Sequence, residues 1–503
     1  MIGIATSILA DDFEELARRA RVTEERGGSD AIELRLDRLA DVEVGRLGNL
    51  IASLKLPVIA AAHGQDAFGH FDGDVRQRRD LLLRAARAGA AYVDVDWRLA
   101  AELGELPRGA RRIVSRHERT AELSARELAR SLGAVARPGE LRKLVVEARD
   151  TDQALEVLEL LEAPGDGAAD PGTLIAFAAG EPGRFTRIVA PILGSPLTYA
   201  AWEGRDGDVD RAHPTAPGQK TARELRAAWP ARGASSGSSI FAVVGSPIAH
   251  SISPRVHTRL LRAAGLDAVF VALESRDLSR SLARLSAPNW RGLAITAPLK
   301  TAAFELARTR DRESERARAC NTLVRTQEGW SGHNTDVAGV RDTLAPVLAR
   351  RKLPSPRALV LGAGGAARAA LTALEFLGAR SCVCARDAAR ALDLAREFGA
   401  EVLAWDARGN ALVFDVIVQC TPVGLGGGAS PLPESAIAAD AVVLDAVYRP
   451  QDTELLLAAR RRGAETLSGV RWFAGQAARQ FELMNGMPPS MDLMEEEVGR
   501  ALA

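Results

Sequence analysis

Residues 358–368, Ala-Leu-Val-Leu-Gly-Ala-Gly-Gly-Ala-Ala-Arg, decide how the second half of this 503-residue chain folds. Gly362, Gly364 and Ala367 form a G-x-G-x-x-A pattern with a β-rich run before it and helical periodicity over 368–377 after it. In that setting the glycines allow a tight turn and close approach of a ligand to the backbone. The N-terminus of the helix then receives a pyrophosphate. Strand, glycine turn and helix together predict a dinucleotide-binding α/β unit.

The next predicted strand, 381–385, runs into Arg386-Asp387, with Arg390 one helical turn on. An acid at this place binds the ribose 2′-hydroxyl of NAD, and an arginine accepts the 2′-phosphate of NADP. Both residue types are present, so the residues alone leave NADP and NAD open.

Upstream, residues 230–239 (PARGASSGSS) are small and polar without periodicity, the composition of a flexible linker. A second alternating pattern begins at 240–244. Before the linker, apolar β-branched runs at 2–8, 31–36, 57–62, 91–96, 112–115, 141–147, 173–178 and 188–192 read as strands. Amphipathic stretches such as 12–26, 74–88 and 152–161 read as helices. Eight such repeats over about 220 residues predict a (β/α)8 barrel, with a doubly wound open sheet as the competing fold.

Composition narrows the function. Lys plus Arg (65) equals Asp plus Glu (65), so no charge excess favours nucleic acid or a membrane surface. No apolar run reaches bilayer-spanning length. The N-terminal apolar run lacks a basic n-region and meets Asp11-Asp12, against a secretory signal. The four cysteines all follow position 319, and the expected compartment is a reducing cytoplasm. Scattered histidines and Cys382-x-Cys384 do not make a metal site. Of the 65 basic residues only five are lysines: Lys55, Lys143, Lys220, Lys300 and Lys352. Arginine replaces lysine on a solvated surface but cannot become a neutral amine near pH 7, so each retained lysine is a candidate for chemistry.

Two groups of residues surround such lysines. In the second half, Val243-Val-Gly-Ser-Pro-Ile-Ala-His-Ser-Ile-Ser-Pro is a hydroxyl-rich turn after a strand. It is followed by Thr296-Ala-Pro-Leu-Lys300, Cys320-Asn-Thr-Leu and His333-Asn-Thr-Asp336. With 362–368, Thr421-Pro-Val-Gly, Asp445-Ala-Val-Tyr-Arg-Pro and the 475–486 tail, residues 240–503 resemble shikimate dehydrogenase throughout. The resemblance implies Lys300 and Asp336 as catalytic pair. It implies Ser251, Ser253, Thr296, Asn321, Tyr448 and Gln476 as substrate ligands. It also implies an NADP site at Gly362, Gly364, Gly365, Ala366, Arg386, Arg390, Thr421 and Gly469. Two departures are the Ala385-Arg386-Asp387 and Gln419-Cys420-Thr421-Pro422 segments.

In the first half, Glu33-Leu-Arg35, Ser115-Arg-His117 and Lys143 fall at predicted strand ends, where such barrels hold ligands. A buried lysine beside a histidine suits imine chemistry, with desolvation expected to lower the amine's pKa. Adding Asp94-x-Asp96, 180–187, 193–200 and 216–219, residues 1–225 resemble type I 3-dehydroquinate dehydratase. The resemblance implies Lys143 as imine former and His117 as general acid/base, with Glu33, Arg35, Arg187, Thr215 and Gln219 around the substrate. The family's T-x-R…E-G-G segment reads Ala61-Ala-His63…Ala67-Phe-Gly69 here. It lacks the glutamate that partners the histidine, a role that could pass to a carboxylate such as Asp66.

The resemblances imply consecutive reactions: dehydration of 3-dehydroquinate, then NADPH-dependent reduction of 3-dehydroshikimate. The expected organisation is a barrel (1–229), a linker (230–239), a substrate lobe (240–350, completed by 475–503) and a Rossmann lobe (351–474). The competing function keeps an active dehydrogenase, for shikimate or an NAD-dependent one for quinate, beside a weak or scaffolding barrel. The expected partners are small molecules, and a homodimer is open.

Overall fold

The computed structural model describes residues 3–39, 41–119, 124–162, 172–204 and 212–502. They form two compact units: Met1–Ile240 with Gly265–Ser275 and Arg280–Trp290, and Phe241–Ala264 with Arg276–Ser279 and Arg291–Ala503.

The first unit is a nearly closed parallel barrel. Its strands are β1 (Gly3–Leu9), β2 (Ala31–Arg35), β3 (Val58–Ala61), β4 (Tyr92–Asp96), β5 (Arg111–Glu118), β6 (Leu141–Glu147), β7 (Leu174–Ala179) and β8 (Leu197–Glu203). They lie in the order 7-6-5-4-3-2-1-8, so the open sheet is excluded for this half. Phe177 of β7 and Tyr199 of β8 meet across the gap with ring centroids 5.9 Å apart. Buried on both faces, the strands carry near-continuous apolar runs, and the polar residues among them stand out for that reason. Helix leucines such as Leu16, Leu81, Leu128 and Leu132 cover the outside against Ile8, Leu34, Val114 and Leu144. Capping boxes at Asp74/Gln77, Ser124/Glu127 and Thr221/Glu224 start three of the helices at fixed places.

The eighth strand is not where the sequence reading put it. Residues 188–192 are a helical turn, Thr186–Val189, and its continuation, and β8 follows at Leu197. The spacing explains the error: Phe185, Ile188, Val189 and Ile192 fall at i, i+3, i+4 and i+7, and all four are buried. That is a helix face read as a strand because its residues are β-branched.

In the second unit, strands Ser239–Gly245, Trp290–Ile295, Thr322–Thr326, Gly329–His333 and Thr309–Arg310 lie side by side in a mixed sheet. A separate parallel sheet runs Glu401–Val402, Arg380–Cys384, Arg357–Leu361, Val416–Gln419, Val442–Asp445, Glu465–Leu467. Its strand order reverses between Arg357–Leu361 and Val416–Gln419, the switch point at which such sheets bind nucleotides. Helices Thr335–Arg351 and Gly469–Asn485 cross at glycines. A Cβ on Gly339 would stand 2.7 Å from Trp472 Cδ1 and 2.8 Å from its carbonyl oxygen. That close crossing fixes Asp336 and Gln476, one on each helix.

Candidate active sites

Alternation along the barrel strands brings Ser7, Glu33, Asp94, Ser115, His117, Lys143 and Tyr199 to one end of the interior. Register pairs Ser7 with Glu33 and Ser115 with Lys143 on adjacent strands. Lys143 is buried; its Nζ donates to Asp94 Oδ2 at 2.8 Å and Glu33 Oε1 at 3.3 Å, and lies 4.0 Å from the centre of the Tyr199 ring. Ser7 donates to the other oxygen of Glu33 and accepts from Thr215 Oγ1 at 2.9 Å. Gln219 Oε1 accepts from the Thr215 backbone N–H at 2.7 Å, and a Cβ on Gly218 would collide with the Gly180 carbonyl at 2.6 Å. The segment is thereby folded against the strand ends.

The electrostatics correct one expectation. Burial does press the Lys143 amine down, but the adjacent Asp94 and Glu33 carboxylates outweigh it, so the amine's pKa is raised and the group is an ammonium. Asp94 moves up under its burial, against the pull of Lys143, whereas Glu33 is held low by Lys143 and Arg35 despite its burial. His63 and His117 are both pushed far below the usual imidazole range by burial and by the surrounding cations, so both rings are neutral.

Arg35 lines the same pocket, yet it donates to both oxygens of Asp37, at 3.1 and 2.5 Å, and to the Phe68 carbonyl. Asp37 also accepts from the backbone N–H groups of His63 and His70. The pair thus clamps the 63–70 turn, where a Cβ on Gly69 would stand 1.9 Å from the His63 carbonyl oxygen. Arg187 stacks on Phe177 at 4.3 Å, and among the described residues its Nε and Nη2 have no acceptor. The pocket's free space is about 30 Å³, enough to hold water.

His117 Nδ1 has no partner among the described residues, consistent with the lost glutamate. The side chain of Asp66 lies outside the described residues. Glu33, His63 and Asp94 place donor atoms within 4.8 Å of one another, spacing suited to a cation, and the Lys143 ammonium bonds two of the three. The sequence reading quoted Asp94 in a motif and His63 in a departing segment without giving either a role, and it did not single out Ser7 or Tyr199. Asp94 and Ser7 were findable, each a polar residue inside a buried strand. Tyr199 and His63 carry no such signal.

In the second unit Lys300 begins helix Lys300–Leu306, and its Nζ donates to Asp336 Oδ2 at 2.5 Å. The Lys300 stem lies on the glycine turn, since a Cβ at Gly365 would be 2.9 Å from Lys300 Cδ and 3.1 Å from its Cβ. Asn321 Oδ1 accepts from the Thr335 N–H at 2.8 Å, and Asn321 Nδ2 donates to Thr335 Oγ1 at 2.9 Å and to Gln476 Oε1 at 3.3 Å. Gln480, which the sequence did not single out, ties this group to the sheet through the Asn321 carbonyl and Thr322 Oγ1. Ser251 Oγ accepts from the Ser253 N–H at 3.3 Å. Gly245 lets the first strand approach Thr296, whose Cγ2 would be 2.3 Å from an added Cβ. Tyr448 packs on Phe473, ring centroids 5.3 Å apart.

The nucleotide cradle fits a dinucleotide. Gly362 has φ +117° and sits against the Cys420 carbonyl and Thr421, while Gly364, at the N-cap of helix Gly365–Phe376, faces open space. Ala366 follows in the helix's first turn, and Gly469 is held to glycine by the Ala446 and Val447 carbonyls, each 2.7 Å from a notional Cβ. Thr421 Oγ1 accepts from Gln419 Nε2 at 2.9 Å. Asp387 caps helix Ala388–Phe398, accepting from the Arg390 N–H, and pairs with the Arg390 guanidinium at 3.3 Å. Its charge is therefore engaged, and Arg386 is an exposed cation at the strand end.

Comparisons with known proteins find relatives for both halves of the chain. Residues 4–236 match the family model of type I 3-dehydroquinase, and residues 243–323 match that of the shikimate dehydrogenase substrate binding domain. The chain is 28% identical over 97% of its length, and 83% of the relative's, to a chloroplastic bifunctional 3-dehydroquinate dehydratase/shikimate dehydrogenase of Arabidopsis thaliana. It is 37% identical to the shikimate dehydrogenase (NADP(+)) of Maricaulis maris, over 49% of this chain and 90% of that one. A shikimate dehydrogenase solved with NADP+ superposes on 54% of this chain and 98% of its own at TM-score 0.50 and 25% identity. A type I 3-dehydroquinase unit is thus followed by a shikimate dehydrogenase unit, and the chain belongs to the bifunctional 3-dehydroquinate dehydratase/shikimate dehydrogenase family.

Proposed function

We propose that this chain converts 3-dehydroquinate to 3-dehydroshikimate in its barrel, and 3-dehydroshikimate to shikimate in its second unit with NADPH, in the cytoplasm. The observation that carries the reading is that each unit sets one of the chain's five lysines against a carboxylate, the buried Lys143 at 2.8 Å and the half-buried Lys300 at 2.5 Å. We assign the barrel to 1–229, the linker to 230–239, the substrate lobe to 240–350 with 475–503, and the nucleotide lobe to 351–474.

In the barrel, Lys143 attacks the ring ketone and forms an imine, the oxygen leaving as water. The imine draws electrons from the adjacent carbon, His117 removes its proton, and the protonated imidazole then delivers that proton to the departing hydroxyl. Arg187 binds the substrate carboxylate, while Glu33, Arg35, Thr215 and Gln219 hold the ring. In the second unit, bound NADPH supplies the hydride. The ketone oxygen then gathers negative charge, and Lys300 provides both a proton and a fixed positive charge beside it. Asp336 accepts from the Lys300 Nζ at 2.5 Å and keeps it aimed. Ser251, Ser253, Thr296, Asn321, Tyr448 and Gln476 hold the carboxylate and hydroxyls. Gly362, Gly364, Gly365, Ala366, Thr421 and Gly469 form the dinucleotide cradle. Arg386, with Arg390 beside it, receives the 2′-phosphate, since Asp387 is committed to its helix.

The test is a coupled assay of the purified chain with 3-dehydroquinate and NADPH. Nucleotide oxidation with shikimate as product is expected, together with a borohydride-stable adduct at Lys143. Oxidation from 3-dehydroshikimate but never from 3-dehydroquinate, without an adduct, refutes the barrel assignment.

A further inference from the structure

Among the buried titratable groups that the mechanism above leaves unused, one is also without hydrogen bonds at the site itself. His63 is 1% exposed, lies in the pocket wall, and neither of its ring nitrogens has a hydrogen-bond partner among the described residues. Orphan imidazoles in a protein interior are costly and call for an explanation. The position of this one supplies it. Its Nε2 is 3.8 Å from Asp94 Oδ2, the oxygen that accepts from the Lys143 ammonium at 2.8 Å. Its ring meets the His117 ring edge to face, centroids 4.6 Å apart. The Asp37 clamp on its backbone N–H and the Gly69 backbone against its carbonyl hold it there.

We propose that His63 is a proton-relay residue, linking Lys143 through Asp94 to His117 during imine formation. This rests on the dehydratase reading given above. The ammonium of Lys143 carries three hydrogens and the protonated imine carries one, so two must reach the ketone oxygen, which leaves as water. In the relay an N–H bond of Lys143 breaks as an O–H bond forms on Asp94. Asp94 hands the proton to Nε2 of His63, and His63 releases one from its other nitrogen to His117. His117 delivers it to the oxygen. The second hydrogen passes from the carbinolamine nitrogen to its oxygen through His117 alone, and the reverse relay on hydrolysis of the product imine returns His63 to its first tautomer. Burial raises the proton affinity of Asp94, which makes it a fit acceptor from an ammonium. With its nitrogens free of fixed partners, His63 can switch tautomer at each transfer. Arg35 and Arg78 add positive charge around the ring, so a proton that reaches it is passed on rather than kept.

The experiment follows the imine itself. The full chain and its His63→Asn and His63→Ala variants are mixed with 3-dehydroquinate and quenched with borohydride over time, and the Lys143 adduct is measured by mass. His63→Asn is expected to form the adduct about a hundredfold more slowly, the usual worth of a positioned proton carrier. Added imidazole is expected to speed His63→Ala and leave the wild type unchanged, a response that a merely structural role does not give. Dehydrogenase activity, measured from shikimate, serves as the concentration standard. Adduct formation in His63→Asn within twofold of wild type overturns the relay while leaving Lys143 chemistry intact. Slow His63→Ala that imidazole does not rescue also overturns it, as does a wild type with no adduct, which removes the dehydratase reading as well.

Discussion

Gly365→Ala separates the two duties of the glycine turn, because here the turn touches the proposed proton donor. The new methyl would lie 2.9 Å from Lys300 Cδ, 3.1 Å from its Cβ and 3.5 Å from its Cγ. Carbon atoms rest about 3.5–4.0 Å apart, so the lysine stem must yield by roughly 0.6 Å or more. The Cβ belongs to the fixed root of the side chain, so the shift is passed outward to Nζ and away from Asp336 Oδ2, now 2.5 Å distant. A misplacement of about 1 Å costs on the order of a hundredfold in rate, or roughly 2.7 kcal/mol of barrier. The fold should barely notice. Gly365 has no positive φ, and alanine suits a helix better than glycine by up to about 1 kcal/mol, which offsets the local crowding. The assay is steady-state shikimate oxidation with NADP+, alongside thermal unfolding and dehydratase activity of the same samples. A kcat near 1% of wild type is expected, with Tm and dehydratase activity unchanged. The decisive comparison is a double-mutant cycle with Lys300→Ala, in which Gly365→Ala should have little further effect. An equal loss in both backgrounds would show that the methyl acts on the cofactor alone and would refute the reasoning.

Gly364→Ala is the matched contrast: its Cβ meets nothing within 4 Å, so KM for NADP+ should rise about tenfold with the lysine undisturbed, read from cofactor titrations. Asp37→Ala leaves Arg35 as an unpaired buried charge and should cost about 3–5 kcal/mol in urea unfolding, with dehydratase activity lost as the 63–70 turn loosens. Lys300→Ala should depress kcat far more than KM for shikimate; a change confined to KM would make Lys300 a binding residue. His257 titrates near 4 in the folded chain against 6.5 unfolded, because it is buried neutral beside Phe481. Its depressed folded pKa gives stability that is present above pH 6.5 and lost as pH falls towards 4. His257→Phe should therefore shed up to about 3 kcal/mol of the wild type's acid sensitivity in that window, as urea midpoints across pH would reveal.

What could be foreseen followed from local rules. The strand, glycine turn and helix around Gly362 are specified by neighbours within a dozen residues, and both lysines stood out because arginine had replaced most others. The 188–192 error arose where two periodicities share one set of β-branched residues, and only the barrel's demand for a strand at Leu197 separates them. The charge state of Lys143 was misjudged for a different reason. Burial is visible in sequence as an apolar run, but the two carboxylates that reverse its effect come from 49 and 110 residues away. His63 is likewise an unremarkable histidine until the β3 turn brings it to His117.

The charges around Lys143 also bear on selectivity. One ammonium faces Glu33 and Asp94, and Arg35 is matched by Asp37, which leaves Arg187 as the pocket cation with no carboxylate of its own among the described residues. A carboxylate entering the pocket can take both free N–H groups at once. An ester or amide of the same ring offers a single carbonyl oxygen to the two N–H groups and leaves one of them buried and unpaired, at a cost of about 1–3 kcal/mol. The barrel can therefore disfavour uncharged look-alikes of its ligand, because the vacancy it presents is one of hydrogen-bond acceptors.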